Sequence, residues 1–412
     1  MSTQVHAAVD ESTVREISDG LGEPEWLLRQ RLSALAALED LEMPDVIRTP
    51  GRDWTNLAAL EFESLVDPLN AAEDKDQVGP DGVTVLSFAE ALAERPDLVE
   101  EHFGSVVDPQ RDYLTALSTA LFSTGTVVYV PERVNAEDVT VRTEMNSRSL
   151  FNYTLVVTET SASATVLERQ STGDAVEGNR YYSGVVEVVA GENSHVQYGA
   201  LQDLSEETYN YQVKRGIAPG NATVSFVDGN LGSRLTKSSV EAELAGQGSE
   251  GRIVGAFFGQ NDQHFDIAAR IWHQTEHTTA DLVTRGVLDD AARSVYEGVQ
   301  NVGHDAWDTS SYQRENTLML SDESEADASP KLIINNHDTE ASHSATVGQI
   351  DEEDLFYMLG RGVGRRQARN MLVEGFFVPV LEEVEVEELR EDLQGGIATR
   401  LREDTAEAKA GD

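Results

Sequence analysis

The sequence reads as a mainly β chain, a stack of short strands held between helical ends, and three observations lead there. From Gly125 onward, short Val-rich runs recur, punctuated by Gly, Asn and Ser, as strands joined by tight turns would be. Three turns look alike: Val189-Ala190-Gly191-Glu192-Asn193, Ile217-Ala218-Pro219-Gly220-Asn221 and Leu244-Ala245-Gly246-Gln247-Gly248, with alanines 28 and 27 residues apart. At both ends of the chain the apolar period becomes helical. A near-constant repeat of this size points to a stacked coil such as a parallel β-helix. A β-sandwich also carries short strands at regular spacing and stays open on pattern alone.

Taken in order, residues 1–45 read as helical. Trp26, Leu27, Leu32, Leu35, Leu38 and Leu41 recur from Pro24, a residue suited to a helix start, and the run stops before Pro44. Residues 44–51 read as a linker, 71–82 as a polar loop and 87–98 as a helix. A further helix is expected over 109–122, where Tyr113, Leu114, Leu117 and Leu121 share one face. Strands are expected over 126–130, 155–158, 165–167, 185–190, 195–200, 223–227, 239–244 and 253–258, and then over 265–272, 280–288, 294–302 and 318–321. Residues 321–329 read as an acidic loop and 331–335 as the last strand. Residues 341–348 form a polar, His-bearing loop leading into a helix over 352–359. Asp351 suits its N-cap, and Asp354 its positive dipole end. Gly360, Gly362 and Gly364 end that helix. A second helix is expected over 365–377, with Ala368, Met371, Leu372, Gly375 and Phe376 on its packing side. A third, over 385–402, is broken near Gly395 and Gly396, and 405–412 reads as a disordered tail. The implied domains are 1–122, mainly helical; 123–347, the β core; and 348–412, helical.

The chain has 412 residues, of which 40% are hydrophobic, enough for a large core and too many for general disorder. No apolar run reaches the roughly 18–20 residues that cross a bilayer. The first residues are polar and acidic, without a basic stretch followed by an apolar one, so the chain reads as cytoplasmic. Its 74 acidic and 31 basic residues give a net charge of −43, spread along the whole length. Such an even coat fits a halophilic, salt-rich cytoplasm, where screening relieves self-repulsion. It argues against nucleic acid and against an anionic membrane surface as partners. The absence of cysteine excludes disulfides, zinc–thiolate sites and thiolate nucleophiles.

Phosphate-cradling Gly-Lys loops, dinucleotide fingerprints and nucleophile elbows are all missing. His273 and His277 have metal-like spacing, since i and i+4 share a face of a strand, but Glu276 falls on the opposite face, and a solvent-facing polar stripe is the simpler account. His304 lies near Trp307 with no evident partner. His337 and His343 share one polar segment with Asn335, Asn336, Asp338 and Glu340. A neutral imidazole can replace a thiolate in an iron–sulfur cluster, and Asp338 or Glu340 can orient such a ring. The bland reading is a hydrogen-bonded loop closing the β stack.

An ordered set of motifs runs through the second half: His277; Arg285-Gly286-Val287-Leu288; Ala292-Arg293-Ser294-Val295-Tyr296-Glu297-Gly298; Gln313, Asn316 and Leu318; Pro330 and Leu332; Ser342-His343-Ser344-Ala345-Thr346-Val347-Gly348; and Asp351 followed by Leu355-Phe356-Tyr357 and Arg361-Gly362. It resembles the SufB/SufD family, the scaffold proteins of iron–sulfur cluster assembly. The helix bearing Trp26 and Arg31 ahead of a proline also fits. The resemblance implies a right-handed parallel β-helix core with N-terminal and C-terminal α-helical domains, and a scaffold role, not an enzymatic one. Lacking cysteine, and with Ser344 after His343, the chain resembles the SufD-type subunit. Two departures stand out. Ala341-Ser342-His343 replaces a frequent Cys-Ser-His, and Pro330-Lys331-Leu332-Ile333-Ile334 lacks the usual acid.

The partners implied are a SufB-like subunit, met edge to edge at the C-terminal end of each β-helix, and a SufC-like ABC-type ATPase on the C-terminal helical domain. ATP-driven closure of the ATPases would pull on those domains and open the seam. His343 is then the candidate ligand of a transient nascent Fe–S cluster shared with the partner, which supplies thiolate; His337 is a lesser metal candidate. No cofactor is expected to stay tightly bound to the isolated chain. Alternatives are a purely structural anchor for the ATPase, a carbohydrate-active β-helix enzyme, and a homodimer through the same edge.

Overall fold

The computed structural model describes residues 9–42, 65–71, 73–173 and 177–410. The linker expected over 44–51 lies outside them. The N-terminal stretch read as helical holds two helices, α1 (Glu11–Leu21) and α2 (Glu25–Ala37), separated by Gly22 at φ 64° and by Pro24. The segment 71–82, expected to be a loop, contains strand β1 (Glu73–Val78) instead. Its pattern hid it, because its inward side chains are polar and meet polar partners. Lys75 Nζ donates to Asn152 Oδ1 at 2.9 Å and Gln77 Nε2 to Thr126 Oγ1 at 2.9 Å. After β2 (Thr84–Ser87) come α3 (Phe88–Glu94) and α4 (Pro96–His102) in place of one helix, because Pro96 restarts the backbone. Helix α5 (Tyr113–Leu121) starts at its Asp112 cap, whose carboxylate accepts from Thr115 N at 2.8 Å.

The β core runs through β3 (Thr124–Val130), β4 (Asn135–Met145), β5 (Ser149–Thr158), β6 (Ser163–Thr172), β7 (Arg180–Val189), β8 (His195–Asp203), β9 (Thr208–Ala218) and β10 (Thr223–Asn230). It continues through β11 (Leu235–Leu244), β12 (Glu250–Gly259), β13 (His264–His273), β14 (Thr279–Leu288), β15 (Arg293–Val302), β16 (Thr309–Met319), β17 (Glu325–Ile334) and β18 (Thr339–Gln349). Strands β4 and β9 escaped the reading because Asn210, Gln212 and Lys214, buried side chains of β9, are polar, and β4 alternates charged with apolar residues. The acidic loop expected over 321–329 is largely the first half of β17. The loop expected over 341–348 is the middle of β18, so 331–335 does not hold the last strand. The strand expected over 318–321 lies earlier, as β16.

The chain winds as a β-solenoid with two walls. β1 and the even strands from β4 to β18 form one nine-stranded sheet; β2 and the odd strands from β3 to β17 form the other. All neighbours run parallel except the pairs β1–β4 and β2–β3, which are antiparallel. One corner explains the look-alike turns. Arg133, Ser161, Asn193, Asn221, Gly248, His277 and Asp308 all take positive φ, between 52° and 73°. Successive corners hydrogen-bond: Ser161 N to Glu192 O, Asn193 N to Gly220 O, Asn221 N to Gln247 O and His277 N to Trp307 O, at 2.8 to 2.9 Å. Asn, Asp and Gly tolerate this left-handed backbone best, which is why they punctuate the sequence.

The interior changes character along the stack. Near the N-terminal end polar groups lie beside an apolar cluster that begins at Val128 and Val130: Asn152 Nδ2 and Tyr198 Oη donate to Glu168 at 3.3 and 2.5 Å, and Lys214 Nζ donates to Asp228 at 2.8 Å. The coil of β12 and β13 is filled by Ile253, Phe257, Phe265, Ile267 and Ile271, with Phe257 and Phe265 stacked at 5.6 Å. Beyond it, Gln300, Gln313, Glu315 and Thr317 bring polar groups inside again.

After β18 come α6 (Glu352–Leu359), α7 (Arg365–Leu381) and α8 (Glu387–Ala410). The last two fold back along the outside of the even-stranded sheet, where Val373, Phe377, Val380, Leu389, Leu393 and Ile397 bury against Leu201, Val227, Val254, Phe258 and Val283. Helix α8 runs unbroken through Gly395 and Gly396, contrary to expectation. A Cβ on Gly396 would lie 2.4 Å from Leu231 Cδ1, so the glycine lets the helix press on the sheet instead of ending it. The helix also continues to Ala410, into the segment expected to be disordered. No helix among the described residues is long and apolar enough to cross a membrane.

Two buried charges fasten the N-terminal region, Arg31 joining its helices to one another and Glu187 joining it to the solenoid. Arg31 donates to both carboxylate oxygens of Glu23, at 2.7 and 2.5 Å, and to Ala120 O at 3.1 Å, with its guanidinium 3.8 Å over the Phe122 ring. Glu187, on β7, accepts from the backbone N–H groups of Gly104, Val106 and Val107 at 2.7 to 2.8 Å and from Tyr153 Oη at 2.5 Å. Replacing Glu187 with Ala strands four buried donors. The expected loss is about 3–5 kcal/mol of unfolding free energy, measured by urea denaturation, with Glu187→Gln milder.

Candidate functional site

The two ends of the solenoid are finished differently. At the N-terminal end the chain turns two strands antiparallel, and α3 and α5 pack their apolar side chains over the opening. At the C-terminal end β17 and β18 are simply the outermost strands of their sheets. Their residues are exposed or half-buried, whereas earlier strands are mostly buried. Ile333, Ile334 and Val347 remain exposed there. Both edges present unpaired backbone groups of the kind that accept another strand.

His343 lies in the middle of β18, paired in register with Gln313 of β16. Gln313 is buried, so this position faces the interior. Tracing register back along the sheet, the column reads His343, Gln313, Leu282, Ile253, Phe226 and Tyr198. It is apolar at Leu282, Ile253 and Phe226 and turns polar at Gln313 and His343, toward the open end. The imidazole is exposed because no further coil covers it.

His337 lies apart, in the turn between β17 and β18. That turn is held by Asn336, whose Nδ2 donates to Gly303 O at 3.0 Å and Ala306 O at 2.6 Å. From Thr339 to His343 the strand advances about 13 Å, so the two rings do not converge. Asp338 shares the turn, and Glu340 accepts from Tyr312 Oη at 3.4 Å. Strand β13 ends at His273, so His273 and His277 do not share a strand face. His273 is buried with Nδ1 2.7 Å from Thr278 Oγ1, and burial pushes it down to about 4. His277 occupies the corner, with Nδ1 2.7 Å from Asp308 Oδ2. His304 is exposed beside Asp305. Among the described residues no group of three or more His, Asp or Glu side chains is placed to hold a metal ion. The open end therefore carries His343 and His337 apart, with no preformed metal-ligand cluster among the described residues.

The polar interior of the coil under His343 went unnoticed in the sequence, where Gln313 entered only as a motif residue. Gln300 Nε2 donates to Gln313 Oε1 at 3.2 Å and to Ser342 O at 3.3 Å. Glu315, two residues beyond Gln313, accepts from Thr317 Oγ1 at 2.5 Å, and its Oε2 is buried without a partner. Burial pushes the Glu315 carboxyl up to about 7, against the pull of Thr317 and Arg285. The available signal was alternation, since Gln300, Gln313 and Glu315 stand where earlier coils place core residues.

The C-terminal helices carry a second exposed feature. Phe356 and Tyr357 on α6 and Met371 and Val378 on α7 face outward, Phe356 at 75% exposure. Arg361 lies 3.3 Å over the Tyr357 ring.

Fold and site together define a β-solenoid protein, helical at both ends, with one open rung bearing a histidine. Comparison with known proteins identifies the group. Residues 140–376 match the SUF system FeS cluster assembly SufBD core domain, and residues 55–141 match the SufBD protein N-terminal region. The chain is 30% identical to the iron–sulfur cluster assembly protein SufD of Bacillus subtilis, over 98% of this chain and all of that one. It is 28% identical to iron–sulfur cluster assembly SufBD family proteins of Staphylococcus saprophyticus and Staphylococcus haemolyticus, covering 92% of this chain and 90% of each of those. The chain belongs to the SufBD family.

Glu315 makes stability depend on pH in a definite sense. Its folded pKa, raised to about 7, exceeds the unfolded value, so its contribution is complete at acid pH and is lost as pH rises from about 4.5 through 7. Glu315→Gln should be more stable than the parent at pH 8 by about 3 kcal/mol at most, with the difference vanishing near pH 4. Denaturant unfolding across that range reads it.

Proposed function

We infer that this chain is a SufD-like subunit of the Suf-type iron–sulfur cluster assembly scaffold and not itself an enzyme. The observation that carries the reading is the unfinished C-terminal rung, with His343 inward-facing at its centre, in a chain of this family. A SufB-like subunit would add its own edge strands to β17 and β18, completing the backbone hydrogen bonds and covering Ile333, Ile334 and Val347. His343 would then stand at the seam between the two solenoids. This chain has no cysteine, so thiolate for a nascent cluster would come from the partner, and the imidazole from here. A ligand set divided between two chains makes affinity depend on seam geometry, so movement of the subunits can load or release the cargo. His337 would play no part.

The exposed face of Phe356, Tyr357, Met371 and Val378 fits the docking of an ABC-type, SufC-like ATPase, whose closure would act on α6–α8. The alternative, a structural anchor whose histidine holds nothing, shares the same surfaces. Family membership leaves the carbohydrate-enzyme alternative without support.

His343→Ala separates the two remaining readings. Its ring is exposed and carries no packing, so fold and subunit assembly should persist. Cluster yield in the reconstituted complex, read by absorbance and iron and sulfide content, should fall about tenfold or more. Normal yield would leave only the anchor.

The acidic coat belongs to the same reading, as adaptation to a salt-rich interior. Screening length falls from about 10 Å at 0.1 M salt to about 3 Å at 1 M. Thermal unfolding of the chain should therefore move to higher temperature across that range. A flat or falling melting temperature would dismiss the adaptation.

A further inference from the structure

An imidazole on an edge strand turns freely unless something beneath it holds one ring nitrogen, and the coil under His343 contains such a group. Gln300 is fully buried. Its Nε2 donates to two acceptors, Gln313 Oε1 at 3.2 Å and Ser342 O at 3.3 Å. Exchanging its oxygen and nitrogen would set oxygen against oxygen at both contacts, so the network fixes which way the amide points. Its Oε1 is then a buried acceptor without a partner, a state that costs more than a change of side-chain rotamer.

In the coil below, Gln313 Nε2 lies against Gly298, and it, Tyr296 Oη and Ser311 Oγ are donors also without a partner among the described residues; on the last rung donors are scarce. From Ala341 to Val347 the inward positions of β18 are Ala341, His343, Ala345 and Val347, in register with Ser311, Gln313, Glu315 and Thr317. Those of β17 opposite are Ala328, Pro330 and Leu332, in register with Tyr296, Gly298 and Gln300. Of these seven side chains only His343 carries an N–H. Gly298 makes the arrangement possible: a Cβ there would lie 1.8 Å from Gln313 Nε2, so its absence lets Gln313 lie across the coil and meet Gln300.

We propose that Gln300 is a positioning residue for His343: its Oε1 accepts a hydrogen bond from one ring N–H and so fixes the tautomer whose other nitrogen presents its lone pair at the open edge. A neutral imidazole has one donor and one acceptor nitrogen, and engaging the donor inside determines what faces outward. Gln313 and the Ser342 carbonyl act through Gln300 by holding its amide. The consequence for cluster binding rests on the ligand reading of His343; the tautomer does not.

The test is nitrogen NMR on the full chain carrying ¹⁵N-labelled histidine, with His343→Ala assigning the signal. The wild-type ring should show one dominant tautomer, with an N–H that exchanges more slowly than in a free imidazole. Gln300→Leu should give a mixture of tautomers. Glu315→Gln, which alters the neighbouring carboxyl under Ala345, should change nothing. A wild-type ring with mixed tautomers and free exchange overturns the proposal even if the leucine variant does not fold. So does a Gln300→Leu ring identical to wild type, or a mixture produced by Glu315→Gln. Cluster yield from His343→Ala reports on the ligand role separately: full yield with a single wild-type tautomer removes that role and leaves the positioning intact.

Discussion

A strand in a parallel stack offers hydrogen-bonding groups on both flanks, so each coil of a solenoid requires another above and another below. The rest of this molecule is organised around that requirement and around the two places where it has to stop. At one end the chain satisfies it internally, by running β1 and β2 against the grain and laying helices over them. At the other it leaves β17 and β18 unmatched. The exposure of His343 is a consequence of that omission and not of a protruding loop: the residue occupies an ordinary inward core position, one coil short of burial.

The helices after β18 do not cover the opening. They double back, and α7 and α8 settle on the outer face of the even-stranded sheet. Arg400 fixes the far end of that packing by donating to Leu231 O at 2.8 Å and Asp203 Oδ1 at 2.7 Å. The unfinished rung and the outward residues of α6 and α7 are thus two exposed surfaces of different make, one of strand edges and one of helix side chains. That difference suits a scaffold meeting two different partners, as the proposed function requires.

The helical ends and most strand positions were legible because apolar alternation and corner residues report directly on backbone geometry. The corner ladder through Asn193, Asn221 and Gly248 appeared as three similar turns. What failed to register was polar. Strands β1 and β9 carry polar side chains at inward positions, and β18 places small Ala341 and Ala345 and polar His343 there, so a reading based on hydrophobicity sees loops. The same blindness hid Gln300 and Glu315, and left Gln313 as a motif residue with no place in the fold. No sequence pattern says that a glutamine is buried; register against its neighbours does. His343 stood out only through a resemblance spread over many short motifs, since a lone histidine in a polar segment carries little meaning by itself. Gly395 and Gly396 misled in the opposite direction, because a glycine pair that usually ends a helix here allows one to lie flat.

The apolar coil of Ile253, Phe257, Phe265, Ile267 and Ile271 sits between two polar stretches of the interior. Lys75, Glu168 and Asp228 lie on one side of it, Gln300 and Glu315 on the other. Oily packing of that kind offers neither protons nor ions a relay of polar groups, so the two polar stretches are in effect separate chambers with one partition between them, the C-terminal one open at its mouth. A proton taken up near Glu315 has no hydrogen-bonded route through that partition to the charges in the opposite half.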